Sequence, residues 1–105
     1  MDKQVKIKWL EALRSKNYKQ GVGGLRCKDQ FCCLGVLYDT LGYKWKKIEM
    51  GSYAVKTTYG LESRYLETEL REELGISDSE ECVLVAMNDK KISFDGIADH
   101  IEDNL

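Results

Sequence analysis

The residue types that could do chemistry are concentrated in Tyr18 to Gly35, YKQGVGGLRCKDQFCCLG. Glycines at 21, 23 and 24 loosen the backbone between two cations, Lys19 and Arg26, and the adjacent Cys32 and Cys33 open an apolar helix. Free backbone N–H groups, two cations and a helix N-terminus within one stretch suit an anion or a nucleotide. The glycine loop lacks the preceding strand and directly following helix of a dinucleotide fingerprint. It therefore points to anion binding without naming a ligand.

The cysteines invite two other chemistries, and both fit poorly. Structural zinc sites use paired C-x(2–4)-C knuckles, whereas Cys27, Cys32, Cys33, Cys82 and His100 follow no such spacing. Adjacent Cys32 and Cys33 on a helix do not both point at one ion. A thiol at a helix N-terminus near Arg26 or Lys28 would have a depressed pKa, but a cysteine hydrolase also needs a positioned base. The single histidine, His100, lies in the last helix, off its apolar stripe. No Ser-His-Asp order, HExxH or Walker sequence is present. The expectation is a binding protein rather than an enzyme, with no metal or cofactor and with reduced cysteines acting as small hydrophobes.

Composition bounds the class. At 105 residues, 43% hydrophobic and 32% charged, the chain reads as a single globular domain. It has no run of about 20 apolar residues and no basic-then-apolar leader, which predicts a cytoplasmic protein. Proline is absent, so glycine supplies nearly all the chain breaks. Residues 1–50 carry 11 Lys/Arg against 5 Asp/Glu, while residues 51–105 carry 5 against 13. These halves either attract each other, within one fold or across a homo-oligomer, or present a basic and an acidic surface to separate partners.

Periodicity supplies the scaffold. A first helix from Asp2 to Ser15 carries Val5, Trp9, Ala12 and Leu13 on one stripe. After the glycine loop, Leu25–Cys27 and Phe31–Cys32 form a tiny hairpin turning at Lys28–Asp29–Gln30. A helix from Cys32 to Leu41, apolar nearly all round, is the buried central helix, and Gly42 caps it. Gly35 inside it costs about 1 kcal/mol against alanine, so close approach of another helix or of a ligand must compensate. Tyr53 to Tyr59 alternates as a strand, with Trp45, Ile48 and Met50 as its partner. Leu66, Leu70 and Leu74 mark a helix closed by Gly75. Ser77 with Glu80 is a capping box for the next helix, broken at Asn88–Asp89. Ser93 caps a last amphipathic helix. The fold class is α+β: about five short helices with a small β-hairpin.

Read together, KWLEALRSKNYKQGVGGLR, FCCLGVLYDTLG, LETELREELGI and MNDKKISFDGIADHIE resemble a recurrent family of small proteins encoded by bacteriophages and prophages. The likeness spans nearly the whole chain. One departure is Glu67, where many such sequences carry proline, which alters a helix start. The resemblance implies an accessory factor acting on the host, including its antiviral defences, and brings no catalytic residues with it.

Two partner classes follow. One is a nucleotide-derived immune signal, sequestered without catalysis. Lys19, Arg26 and the amides of Gly23 and Gly24 would hold its phosphates, Tyr18 or Trp9 would stack on a base, and Asn88 or Asp89 would read polar edges. Gln20 and Cys33 complete that ligand-binding set. The other is a host defence protein, blocked by the acidic residues 62–81 acting as a nucleic-acid mimic. A regulatory or assembly accessory is the third reading. KISFDGIADHIE, at Lys91–Glu102, looks like the entry to a helix-turn-helix, but no recognition helix follows and the flanks are acidic. Direct DNA binding through this end is not expected, and neither is membrane association.

Overall fold

Asp2 opens the first helix, its side chain accepting the Val5 N–H at 3.0 Å, and α1 runs Lys3–Arg14 in the computed structural model, which describes residues 1–105. Its apolar stripe buries Trp9, Leu10 and Leu13. The chain then makes three two-residue strands, β1 (Lys19–Gln20), β2 (Arg26–Cys27) and β3 (Gln30–Phe31). Next come α2 (Cys33–Thr40), β4 (Trp45–Lys47), β5 (Ser52–Thr57) and β6 (Gly60–Glu62). Three helices close the chain: α3 (Thr68–Leu74), α4 (Asp78–Asp89) and α5 (Phe94–Asn104). The class is α+β with five helices, as the periodicity predicts. No helix is long and apolar enough to cross a membrane.

The sheet exceeds the predicted hairpin. Six strands form one mixed sheet in the order β1-β3-β2-β5-β4, with β6 also on β5. The small hairpin is present, with Arg26 opposite Phe31 and Cys27 opposite Gln30. Lys28, at φ +54°, and Asp29 form its two-residue turn. β5 joins this hairpin to the second one, pairing Arg26 with Tyr53 and Trp45 with Val55. The long strand ends at Thr57 rather than Tyr59. There the Thr57 hydroxyl accepts the Tyr59 N–H and donates to the Gly60 carbonyl, reversing the chain into β6.

Helix α2 is the centre of the core, with every residue from Cys33 to Tyr38 buried. Sheet, α1 and α4 surround it. Gly35 is explained by neither a helix nor a ligand. A methyl there would overlap the Leu25 carbonyl oxygen and lie 2.9 Å from its carbon. The backbone of Leu25 rests on the first turn of α2, where its oxygen accepts the Cys32 N–H at 3.1 Å. That contact brings the glycine loop beside the helix N-terminus.

Local signals set the remaining helices. Gly75, at φ +74°, stops α3, and the Ser77–Glu80 capping box starts α4. Leu66 is buried just ahead of α3 rather than inside it, and Glu67 takes the N-cap without a side-chain bond. Asn88 and Asp89 do not break α4; they are its last two residues, and Lys91, at φ +62°, turns the chain. Ser93 caps α5 by accepting the Gly96 N–H.

Part of the charge asymmetry is neutralised inside the fold. Arg14 on α1 pairs with Asp99 at 2.8 Å and Glu102 at 3.2 Å on α5. Lys16 meets Asp95 at 2.6 Å, and Lys6 donates to the Glu102 carbonyl.

Candidate functional site

Asn88 ties the glycine loop to the central helix. It is 1% exposed, near the end of α4, and both its amide oxygen and its amide nitrogen are hydrogen-bonded. Its Nδ2 donates to the Gly21 carbonyl at 2.8 Å, and its Oδ1 accepts the Cys33 N–H at 3.2 Å and Gln20 Nε2 at 3.1 Å. Loop, helix start and α4 are thereby locked together. Buried amides are retained when each of their polar atoms is partnered, as here. Asn88 therefore builds the site, and it also lines the cleft.

Between these elements lies an open cleft of about 420 Å³, with Gly23, Gly24, Cys33, Leu34, Val85 and Asp89 among its walls. Arg64 and Tyr65 close one side. A second recess of about 670 Å³ continues past Gly23, Gly24 and Arg64 to Arg26, Ser52 and Tyr53. The lip they share carries backbone donors: no acceptor in the protein takes the N–H groups of Val22, Gly23 or Gly24. Gly23 holds φ at +86°, a conformation that side-chain-bearing residues rarely adopt. Successive N–H groups pointing out of such a turn form an anion-binding concavity.

The two arginines of the cleft differ in freedom. Arg26 Nε donates to the Lys28 carbonyl at 2.8 Å, and its guanidinium carbon sits 4.0 Å over the Tyr53 ring and 5.1 Å from Phe31. Stacking of this kind orients a guanidinium while leaving its charge uncompensated. Arg64 is exposed and joins no ion pair. Two carboxylate residues belong to these walls, Asp89 in the first cleft and Glu49 in the second recess.

The cleft thus gathers Gly23, Gly24, Cys33, Asn88 and Asp89, with Arg26 in the adjoining recess. Four predicted residues lie elsewhere. Trp9 is wholly buried, its indole N–H donating to the Cys33 carbonyl, so it cannot stack on a base. Tyr18 donates to Asp39 at 2.5 Å and meets Phe31 edge-on. Burial and that bond push its phenol up to about 12. Lys19 pairs with Asp29 at 3.1 Å on the outer strand, and holds that carboxyl below its usual range. Gln20 faces inward, bonded to Asn88 and the Ile92 carbonyl.

Cys33 is among the cleft walls, and the residue is wholly buried, its thiol donating to the Leu84 carbonyl at 3.8 Å. Burial pushes both the Cys32 and Cys33 thiols up, Cys33 well above its ordinary value. This overturns the depressed pKa that a helix N-terminus alone would give. Cys32 instead serves as the N-cap, its sulfur accepting the Gly35 N–H at 3.4 Å.

Arg64, Tyr65, Tyr53 and Val85 are missing from the sequence-derived set. The available signal for Arg64 was the Glu62–Ser63–Arg64 turn. Glu62 Oε2 accepts the N–H groups of Ser63 and Arg64 at 3.0 and 3.1 Å, fixing the backbone that carries the arginine.

Residues 1–105 match the family described as a domain of unknown function (DUF8296), and the chain belongs to that family. No curated protein and no solved structure matches it significantly.

Proposed function

We propose that this protein is a non-catalytic binder of a nucleotide-like anion, held in the cleft between the Gly23–Gly24 lip and Arg64. The observation that supports it is that one recess is lined by Val22, Gly23 and Gly24, whose N–H groups have no partner, together with Arg26 and Arg64, which join no ion pair. Arg26, Arg64 and the lip amides would hold phosphates. Tyr65 or Tyr53 replaces Trp9 and Tyr18 as the aromatic neighbour of a base, and Asp89 is the carboxylate available for a ribose hydroxyl or amino group. The raised thiol pKa values argue against nucleophilic chemistry at Cys32 or Cys33. With the resemblance to phage-encoded accessory proteins, the reading becomes an anti-defence protein sequestering a nucleotide-derived immune signal in the host cytoplasm.

Thermal unfolding with a panel of mono-, di- and cyclic nucleotides tests this. At one hundred times the dissociation constant, a bound nucleotide adds about 2.7 kcal/mol, a Tm rise of about 10 °C for a domain of this size. Arg64→Ala should abolish the rise while leaving the unliganded Tm unchanged. An unmoved Tm at millimolar concentrations of every nucleotide would count against the reading.

The acidic-surface alternative keeps one supporting observation. Glu69, Glu72 and Glu73 are exposed and outside every ion pair, whereas Glu62 and Glu81 are turned onto backbone N–H groups. Charge reversal at Glu69, Glu72 and Glu73 should then release a captured host protein.

A further inference from the structure

The strand register sorts the lysines of the sheet. Opposed residues in an antiparallel pair point to the same face, and successive residues alternate. Trp45 and Val55 are opposed and face the core, where Val55 is fully buried and the Trp45 indole N–H donates to Asp39. Lys46, opposed to Ala54, and Lys44 and Lys56, joined by a backbone bond of 3.1 Å, therefore project from the other face. Lys28 extends the row from the neighbouring hairpin, with its stem and Cys27 Sγ both beside Gly51.

All four lysines are exposed, and none makes a hydrogen bond or ion pair through its ammonium group. The nearby carboxylates do not neutralise them. Glu62 lies opposite Val55 and bonds its own turn, Asp29 is held by Lys19, and Glu49 belongs to the cleft rim.

Lysine on an exposed edge strand can serve simply to prevent strand-to-strand aggregation. That accounts for Lys44 and Lys46 beside or on β4, the edge of the sheet. It does not account for Lys56, on a strand paired along both sides, or for Lys28 in a turn. Lysine is depleted from protein–protein interfaces, which are anchored by buried aromatic and arginine side chains. Tyr59, the exposed aromatic at the nearby hairpin tip, is tied to Glu69. Leu61, opposed to Lys56, and Ala54, opposed to Lys46, share this face, but only Leu61 is exposed among the four free ammonium groups. Flexible point charges around so small an apolar area suit the dispersed phosphates of a polymer instead.

We infer that the Lys28–Lys44–Lys46–Lys56 face docks the phosphate backbone of nucleic acid, independently of sequence. This site uses none of the cleft residues and stands whether or not the cleft binds a nucleotide.

Fluorescence anisotropy with labelled 20-nucleotide single strands and 20-base-pair duplexes reads it directly. Wild type should bind at about 50 mM salt and lose roughly 100-fold in affinity by 200 mM, as about four released counterions require. Lys46→Glu/Lys56→Glu should lose at least 10-fold more than Lys3→Glu/Lys8→Glu, which makes the same charge change on α1. No binding at low salt, or equal losses in the two variants, would overturn the assignment. Self-association abolished by Lys46→Glu/Lys56→Glu, without nucleic-acid binding, would overturn it too and give the face to a second copy of this chain.

Discussion

Arg14 and Arg64 mark two regions that treat positive charge in opposite ways. On the α1–α5 side, Arg14 spans Asp99 and Glu102, Lys16 meets Asp95, and Lys6 caps the Glu102 carbonyl. The basic first helix and the acidic last helix are mutual counterions, and the terminal ammonium of Met1 donates to the Leu105 carbonyl in the same neighbourhood. On the sheet and cleft side, Arg64, Lys28, Lys44, Lys46 and Lys56 have no carboxylate partner. Exposed ion pairs add little to stability, so the difference says little about how tightly each side folds. It says where a ligand can find charge that the protein has not already compensated.

The sharpest break in this comparison comes from Gly35, which seats the cleft side on the core. Gly35→Ala should cost at least about 3 kcal/mol in urea unfolding, because a methyl meets backbone rather than a movable side chain. A variant melting within a few degrees of wild type would mean that Leu25 is not fixed against α2. Asn88→Ala should cost roughly 2–3 kcal/mol, stranding the buried Cys33 N–H and freeing the Gly21 carbonyl. It should also weaken any cleft ligand by loosening the glycine loop.

The smallest effects compare the two arginines directly. Arg14→Ala should lower Tm by at most a few degrees, an effect that fades in high salt. Arg64→Ala should leave Tm and its salt dependence unchanged. An Arg64 variant as destabilised as the Arg14 variant would place Arg64 among the structural charges.

Much of the fold was legible because its rules are local. The Ser77–Glu80 box, the Ser93 cap and the Gly42 and Gly75 stops act within four residues, and leucine spacing shows which face is buried. The sheet was less legible. Two-residue strands have no period, and β1 joins β3 in parallel only because the chain between them folds back through β2. The site divided the same way. Gly23, Gly24 and Cys33 were found through the helix start and glycine loop, and Asp89 as a polar residue for ligand edges, whereas Arg64 and Tyr65 arrive from a turn distant in sequence. Trp9 and Tyr18 misled as base platforms because aromatic type alone does not separate stacking from packing. For Trp9, its place on a stripe with Val5 and Leu13 pointed to the core. Asn88, expected as a reader of ligand edges, has a structural role that its sequence position did not show: it ties the glycine loop to the start of α2.

The most direct test of the cleft is mass spectrometry of small molecules released by heating. The protein would be purified from bacterial cells with active nucleotide-signalling defences. An intact nucleotide released from wild type and missing from Arg64→Ala is the expected result. Release of nothing anionic from any such cell, or of equal amounts from both proteins, would contradict the assignment of the cleft.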